Sequence, residues 1–588
     1  MSHPFPSLEA YCVRSQAFPG NCDRTIKVPS CLLKITMETK FCGAEPVRVS
    51  EALRALNDAV QSSGAPPTVW FKESSPRNLK SRDFLVPRGA LRKSFPDGEV
   101  PGDLLNKLKS LNSPGIPPIH SSLQNDAGLV IQLDRPAVFQ RVLTDYSPYL
   151  RPTPSDLPNG QSVVILNCSP LHSCRNLDSL RLSHLRAVLI TDHLAELLRL
   201  RGVKVQLTPA LHSHDVISFL HHLGVSWPSV SEAPSVGKAV SAFQQSLKQC
   251  TYVKHKDGEQ QELQDEAPAR VLFNMHLRPF IEEQHLSQQG YDPNLDAFLV
   301  SEEDLEHVAW LQTCVQECQE EAAHCTVLHV VSCEDEFHQQ KLDLLWRILD
   351  PGATTQKHLI CGPVKVLNPL SPVSSAQYFQ IRKSQMQEAS VMKYGDRVQG
   401  SRWEEIIMGL ASAAIKFEMM STAHRSQVTL DLEDTNITTK GTKSGAFVMY
   451  NCARLATMFE SYSSAVRKAL YPEFPPAGDL NYSTLREEGE WLLLFNYILT
   501  FPEVLSQSAQ ISLSSPGIRV TANTEAVCKF LVNLSMDFSS YYNRVHILGE
   551  PLSHLFGQMF SRLQLMKAIE SVLHSALETL HLLPLNQI

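Results

Sequence analysis

The spacing of apolar residues changes near Trp403 and divides the sequence into two parts. From there to the end, apolar residues recur at helical spacing and strand patterns almost vanish. Earlier in the chain, short runs of consecutive apolar residues alternate with helical patterns, as they do in parallel α/β proteins. The sequence therefore predicts an α/β part followed by an all-α helical bundle over residues 401–588. The periodic segments of that bundle are residues 406–419, 447–459, 488–498, 524–544 and 554–582.

The central α/β part contains three apolar patterns of strand length: consecutive apolar runs at residues 163–166 and 327–331, the latter interrupted by His329, and an alternating pattern at residues 203–207. Long amphipathic helices are predicted after the two consecutive runs, at residues 184–201 and 339–349. A strand, a helix and a second strand in this order are typical of parallel sheets. We therefore expect a Rossmann-like domain over residues 160–400, interrupted near residues 236–270 by a solvated insertion or loop rich in Lys, Gln and Glu.

The N-terminal part predicts a smaller module. Helices are expected at residues 50–60, 104–111 and 136–143, with a strand at residues 129–133. Prolines at 152, 154 and 158 mark a linker, so this α/β module covers residues 45–150. Residues 1–44 show no clear period, and we expect a poorly ordered extension.

Composition restricts the functional classes. The net charge is −8, from 53 basic and 61 acidic residues, which disfavours a protein that simply coats nucleic acid. The sequence contains no run of about 18 apolar residues that could cross a membrane, and the N-terminus resembles neither a signal nor a transit peptide.

The 14 cysteines include no Cys-x-x-Cys pair, which favours reduced thiols and a cytoplasmic protein. The densest group has a spacing that fits no standard zinc finger, so we expect thiols and no bound metal. Its members are Cys314, Cys318, Cys325 and Cys333, accompanied by His324 and His329.

The last two predicted helices carry a specific likeness. Residues 533–548 read Asn-Leu-Ser-Met-Asp-Phe-Ser-Ser-Tyr-Tyr-Asn-Arg-Val-His-Ile-Leu. This segment resembles the Phe-x-x-Phe/Tyr-Tyr-Asn helix of the DALR-type anticodon-binding domains that close arginyl-tRNA synthetases. Residues 446–454, 490–505 and 562–580 are similar to three further segments of the same domain.

Looser matches extend the resemblance upstream, over roughly residues 45–588. Residues 168–170 resemble the Ser-Ser-Pro of the synthetases, residues 184–186 the His-Leu-Arg of their ATP signature, and residues 333–338 their Gly-Ala-Glu-Gln-x-x-His. Residues 125–130 weakly resemble the end of their N-terminal additional domain. The resemblance implies a class I synthetase-type Rossmann core between a small α/β module and an all-α DALR anticodon-binding bundle.

The ATP signature is incomplete. In the synthetases, the sequence His-x-Gly-His lies at a helix N-terminus and binds the ATP phosphates through its two His side chains and the backbone at its Gly. Here Arg181 replaces the first His, Ser183 replaces the Gly, and only His184 remains. A lone His without its partners loses most of its catalytic effect, so a capping or packing role for His184 is favoured over catalysis.

Other candidate nucleotide loops also lack the required order. Residues 382–385 and 393–395 are basic but do not form a Lys-Met-Ser-Lys loop, and residues 441–445 do not form a phosphate-binding loop. We expect no catalytic residues and no cofactor, and hence a pseudo-synthetase.

Six residues on one predicted helix supply what single-stranded RNA recognition needs, namely aromatic planes, hydrogen-bonding edges and cations. Phe538 and Tyr541, three residues apart, fit a core-facing stripe. The residues expected at the surface are then Tyr542, Asn543 and His546, or alternatively Arg544. Within the resemblance, further candidates for tRNA contact are Lys443, Tyr450 and Arg454, although exposed charges without a ligand are an equally valid interpretation of the basic ones.

The resemblance implies a non-catalytic protein that recognises arginine tRNAs and presents them to a partner enzyme. The partner that the resemblance implies is a tRNA methyltransferase that forms 3-methylcytidine in the anticodon loop. Two alternatives remain: an active arginyl-tRNA synthetase with divergent ATP motifs, and an interaction scaffold that binds no RNA.

Overall fold

The computed structural model describes residues 45–61, 69–95, 98–111, 115–152, 162–230, 236–254, 271–319, 324–353, 355–368, 372–433, 444–513 and 515–587. The predicted extension at residues 1–44, the candidate Lys443 and residues 255–270 lie outside these ranges.

The helices are α1 (Val49–Gln61), α2 (Arg88–Ser94), α3 (Gly102–Lys109), α4 (Arg135–Thr144), α5 (Leu182–Leu200), α6 (His214–His222), α7 (Gly237–Lys248), α8 (Arg278–Glu283), α9 (Glu302–Gln319), α10 (Glu336–Leu349), α11 (Ser375–Tyr394), α12 (Ser401–Met420), α13 (Gly445–Arg467), α14 (Glu488–Leu493), α15 (Phe501–Ser508), α16 (Ala526–Arg544) and α17 (Ser553–Glu578). The strands are β1 (Lys72–Glu73), β2 (Phe84–Pro87), β3 (Ile119–Asn125), β4 (Gly128–Leu133), β5 (Ser162–Cys168), β6 (Lys204–Thr208), β7 (Val271–His276), β8 (Ala297–Ser301), β9 (His324–Ser332), β10 (Thr355–Cys361), β11 (Val364–Val366) and β12 (Val428–Leu430).

The N-terminal module contains an antiparallel sheet with the strand order β1-β2-β4-β3. Its three predicted helices and the predicted strand are confirmed as α1, α3, α4 and β4. Asp134 is the N-cap of α4, and its carboxylate accepts a hydrogen bond from the backbone N–H of Ala137 at 3.3 Å. Asp83 is fully buried and accepts from the Trp491 indole N–H at 2.8 Å, so a bundle residue is anchored in this module.

The central sheet is parallel, with the order β10-β9-β5-β6, as the sequence predicted for its three apolar patterns. The edge strand β10 was not predicted, because Gln356, Lys357 and His358 interrupt its apolar pattern. The outer edge of β10 pairs with residues 518–520, a segment of the C-terminal part. His358 N–H donates to the Ile518 carbonyl at 2.7 Å, and Val520 N–H donates to the His358 carbonyl at 2.9 Å. The sheet is thus extended by residues that lie more than 150 positions later in the sequence.

Helix α5 differs from its predicted amphipathic character. Every residue from Leu182 to Ala195 is buried, as are Leu197 and Leu198. The polar residues that suggested a solvated face instead contact other parts of the protein. His193 Nδ1 lies 2.7 Å from the Thr579 carbonyl, and Asp192 lies 2.8 Å from His581 Nδ1. The helix is therefore enclosed between the sheet and the bundle.

Near residues 236–270 a solvated insertion or loop was predicted, and a solvated loop is wrong for the first part of this segment. Helix α7 forms there, because Val240, Phe243 and Leu247 recur at helical spacing and are buried. Their Lys- and Gln-rich surroundings concealed this period. The following strand β7 pairs antiparallel with β8 and lies outside the central sheet.

The C-terminal part is helical, and all five predicted periodic segments are confirmed, as α12, α13, the α14 region, α16 and α17. One short strand was missed: β12 pairs in parallel with β11. A π-helix at Leu494–Ile498 continues α14. None of the helices within the described ranges combines the length and hydropathy needed to span a membrane.

Candidate functional site

The ATP-signature positions lie at the N-terminus of α5 and contact one another. Arg181 Nε lies 3.0 Å from His184 Nε2, and Arg181 Nη1 lies 2.8 Å from Glu334. The other carboxylate of this turn, Asp335, lies 3.5 Å from His184 Nε2. Ser183 Oγ lies 3.5 Å from Glu334. All three signature residues are therefore occupied by contacts within the protein.

Two carboxylates lie beside the positions that resemble the ATP signature. The hydrogen bond with His184 and the charge of Arg181 hold the pKa of Asp335 below its usual range, so this carboxylate is ionised at neutral pH. Glu334 adds a second negative charge and lies 2.8 Å from Arg181. An incoming phosphate would meet these two carboxylates at a helix N-terminus that otherwise favours anions. This arrangement suits an ion-pair cluster better than nucleotide binding.

Arg186, at the end of the signature, is a fully buried structural centre. Its guanidinium donates to five backbone carbonyls, those of Gly362, Met419, Thr422, Ala423 and Ser426, at 2.6–3.3 Å. These carbonyls lie just after β10, in the last turn of α12 and in the segment that follows α12. Since all its partners are backbone groups, no sequence pattern could have revealed the role of Arg186.

A buried polar network lies at the ends of β5 and β9. Asn167 contacts His172 Nε2 at 2.7 Å and His329 Nδ1 at 2.9 Å, and the rings of His172 and His307 stack at 3.5 Å. Burial lowers the pKa of His172 to about 3 and that of His329 to about 4, so both are neutral at pH 7. The stacked rings border a cavity of about 530 Å³, at the strand ends where open parallel sheets bind ligands.

One buried carboxylate lies between two histidines. Within the described ranges, His329, Asp343 and His358 are the one set of three metal-ligand side chains whose atoms all lie within 4.8 Å. Asp343 already accepts from His358 at 2.5 Å and from the Tyr291 hydroxyl at 3.3 Å, so its hydrogen bonds are satisfied within the protein. The expected absence of a bound metal stays a prediction.

The cysteine group noted in the sequence is mostly buried: Cys314, Cys318 and Cys325 are buried free thiols. Burial raises the pKa of Cys314 to about 11 and that of Cys325 to about 12. Protonated thiols are poor metal ligands.

In the bundle, the end of α16 separates into a buried and an exposed face. Phe538 and Tyr541 are fully buried, as their spacing predicted, and the Tyr541 hydroxyl donates to the buried Glu490 at 3.2 Å. The other four candidates reach the surface. Tyr542 is half-buried, and Asn543, Arg544 and His546 are exposed.

Helix α13 brings a cation against this exposed face. The Arg454 guanidinium lies 5.2 Å from the ring centroid of Tyr542 and donates to Ser539 Oγ at 3.1 Å. One turn earlier on α13, Tyr450 is half-buried, and the Lys393 ammonium of α11 lies 4.6 Å from its ring centroid. The structure thus joins Tyr450, Arg454 and Tyr542 into one surface with Asn543, Arg544 and His546. Sequence reasoning missed Lys393 as part of it.

This surface offers aromatic planes, cations and an amide within a few ångströms. Single-stranded nucleic acids are bound by stacking on such planes, with nearby cations contacting the phosphates. The Arg454 guanidinium also offers the fork of N–H donors that suits a phosphate.

Comparisons with known proteins place two domains in the chain. The model of the DALR N-terminal domain matches residues 47–149, and that of the DALR anticodon binding domain matches residues 448–588. The arginyl-tRNA synthetase of Thermus thermophilus aligns with a TM-score of 0.53 at 16% identity, covering 92% of this chain and 100% of the synthetase. The arginyl-tRNA synthetase of Plasmodium falciparum aligns with a TM-score of 0.53 at 12% identity, covering 93% and 100%.

Two curated relatives are similar over nearly their whole length. DALR anticodon-binding domain-containing protein 3 of Rattus norvegicus is 45% identical over 92% of this chain and 99% of the relative. The protein of the same name from Danio rerio is 42% identical over 92% and 99%. The structural neighbours show the fold, the two domain models show the DALR domains on either side of the α/β core, and the relatives show the family. The chain belongs to the family of DALR anticodon-binding domain-containing protein 3 and has the fold of an arginyl-tRNA synthetase.

Proposed function

We propose that this protein is a non-catalytic tRNA-binding protein of the cytoplasm that recognises arginine tRNAs and presents them to a tRNA-modifying enzyme. The observation that carries the proposal is the surface formed by Arg454, Tyr542, Asn543, Arg544 and His546. It lies within residues 448–588, which match an anticodon-binding domain. Its aromatic and cationic groups suit the unpaired bases and phosphates of an anticodon loop.

The absence of aminoacylation is part of this proposal. Its support is the cluster of Arg181 and His184 with Glu334 and Asp335, which fills the signature with internal ion pairs. Without a phosphate site, the energy of ATP binding is not available to form an adenylate. What the fold retains is recognition.

The partner we propose is a methyltransferase that forms 3-methylcytidine in the anticodon loop. The net charge of −8 supports a division of labour, because a second protein would supply much of the cationic surface that whole-tRNA binding needs. A presenting protein then contributes tRNA identity, and the enzyme contributes the reaction.

The first experiment is crosslinking and sequencing of the RNA bound to the full chain in cells. The variant carries Tyr542→Ala, Asn543→Ala and Arg544→Ala, and the control is Arg467→Gln, an exposed arginine on α13 that pairs with Glu460 at 2.7 Å. We expect arginine tRNAs to be enriched by the wild-type chain and the control and lost by the triple variant. Enrichment of other tRNAs, or of none, would contradict the proposal.

Two further readouts separate the proposal from its alternatives. Arginine-dependent exchange between ATP and pyrophosphate by the purified chain would establish an active synthetase. A tRNA-independent interaction between the chain and a methyltransferase, together with no affinity of the chain for tRNA at low salt, would establish a scaffold. Under our proposal, the triple variant also lowers 3-methylcytidine in arginine tRNAs when it replaces the wild-type chain in cells.

A further inference from the structure

Cations and aromatic rings alternate in a row that continues beyond the anticodon-binding surface. From Tyr542 and Arg454 the row passes one helical turn along α13 to Tyr450. It then crosses to α11, where the Lys393 ammonium lies 4.6 Å from the Tyr450 ring centroid and 5.0 Å from that of Tyr394. Tyr394 packs against Trp403 of α12, with their ring centroids 5.3 Å apart.

The far end of this row is accessible. Lys393 is exposed, and Tyr394 and Trp403 are half-buried, so each presents part of its surface to solvent. Lys393 and Tyr394 are the last two residues of α11, just before Gly395, and Trp403 lies in the first turn of α12, so the two helix ends meet here. Packing of α11 on α12, of α12 on α13 and of α13 on α16 holds the row in place.

The charges around this end favour an anionic ligand at its centre. Lys393 is the central cation, and Arg397 and Arg402 are exposed in the adjoining segment. Asp396, Glu404 and Glu405 are the nearby acids in the sequence, against Lys393, Arg397 and Arg402, and Glu404 lies 3.6 Å from a fourth cation, Lys383, which balances its charge. A phosphate is therefore expected at Lys393, whereas the Trp403 end suits base stacking.

We propose that single-stranded RNA follows this row, so that the RNA surface extends from α13 and α16 onto Lys393, Tyr394 and Trp403. Lys393 contacts a backbone phosphate, and the rings of Tyr394 and Trp403 stack on bases. Residues 393–395 lack the order of an ATP loop, and their position beside Tyr450 gives them this other role. The inference rests on the proposed function and adds a second group of RNA contacts to it.

The test is the affinity of the purified full chain for a labelled anticodon stem-loop of an arginine tRNA. We expect Tyr394→Leu and Trp403→Leu each to weaken binding about five-fold or more, since the loss of one base stack has an effect of that size. We expect Lys393→Gln to weaken binding about five-fold or more as well, because a phosphate contact is lost. Lys393→Gln should also reduce the slope of log affinity against log salt by about one, as loss of one phosphate contact does. The matched control is Lys248→Gln, an exposed lysine at the end of α7.

Two conservative variants guard against loss of binding through misfolding. Lys393→Arg and Tyr394→Phe retain the charge and the ring, and they should bind like the wild-type chain. RNA should quench Trp fluorescence in the wild-type chain and quench it less in Trp403→Phe, which reports contact at that ring directly.

The outcomes distinguish this inference from the proposed function. If Arg454→Gln weakens binding while the variants at Lys393, Tyr394 and Trp403 bind like the wild-type chain, the extended surface is wrong and the proposed function stands. If the wild-type chain does not bind the stem-loop or the intact tRNA, the proposed function is wrong and the extension falls with it.

Discussion

The start of α5 and the α13–α16 surface both contain an arginine beside other polar groups, but the two arginines are used differently. Arg181 pairs with Glu334 and His184, so its donors are directed at partners inside the protein. Arg454 lies against the Tyr542 ring and donates to the neutral hydroxyl of Ser539 instead of to a carboxylate. An ion pair satisfies a cation, whereas a ring contacts only the face of a guanidinium. Under the proposed function, one region serves cohesion and the other recognition.

Cohesion is strongest along α5. Arg181 at its start, Arg186 in its first half, and Asp192 and His193 further along all contact groups outside the helix. Helix α5, whose first residues resemble the ATP signature, is thus joined at several levels to the sheet and the bundle. Three of the variants below test cohesion along this helix, and one tests recognition on the bundle.

The largest expected effect is that of Arg186→Met. Five carbonyls would lose a charged donor in the interior, and we expect a loss of about 4 kcal/mol in the free energy of unfolding. Urea denaturation measures it, with Arg199→Met, an exposed site on the same helix, as the control. A loss below about 1 kcal/mol would show that α5 is not held in this way.

The second effect depends on pH. Hydrogen bonds with Asp192 and Glu196 raise the pKa of His581 to about 9, above its unfolded value near 6.5. The protonated His581 thus stabilises the fold fully below about pH 6.5, and this stabilisation is lost as the pH rises through about 9.

Accordingly, His581→Gln should lower the free energy of unfolding by about 1–2 kcal/mol at pH 6 and by close to zero at pH 10. Thermal unfolding of both chains across this range measures the difference. A difference that stays constant with pH would mean that the charge of His581 has no part in joining α5 to the end of the chain.

On the recognition side, Arg454→Gln should weaken binding of arginine tRNA about tenfold, which is about 1.4 kcal/mol. It should also flatten the salt dependence of binding, because a phosphate contact is lost. Filter binding at several salt concentrations tests this, with Arg467→Gln as the control. An unchanged affinity would remove the distinction between the two regions.

The smallest effect is expected from Arg181→Gln. Its side chain is 54% exposed, so its ion pairs are screened and the free energy of unfolding should fall by less than about 1 kcal/mol. The affinity for tRNA should not change. A tenfold loss of tRNA binding in this variant would place the start of α5 in the recognition surface.

The sequence predicted those parts of the fold whose signals are local. Residues 163–166 form a run of apolar residues, and Phe538 and Tyr541 lie three positions apart, so a buried strand and a helix face could be recognised without the structure. Strand β10 could not, because Lys357 and His358 are polar. Lys357 Nζ donates to the Gly517 carbonyl at 2.8 Å, and His358 pairs with Asp343.

The candidate surface shows the same limit. The exposed residues at the end of α16 were found from spacing on one helix. Lys393 was missed, since it reaches Tyr450 from a helix 57 positions earlier in the sequence, and only packing brings the two together. Contacts between distant segments have no periodic signature within either segment.

The pairing of Ile518 and Val520 with β10 has a consequence for biosynthesis. Strand β10 ends at Cys361, so the edge that these residues cover remains open while about 160 further residues are made, or about 10–30 s at usual translation rates. During that time the nascent chain presents an unpaired parallel strand, a template for association with other chains. The ribosome-bound intermediate is therefore the state of this protein in which we expect chaperones to be needed most.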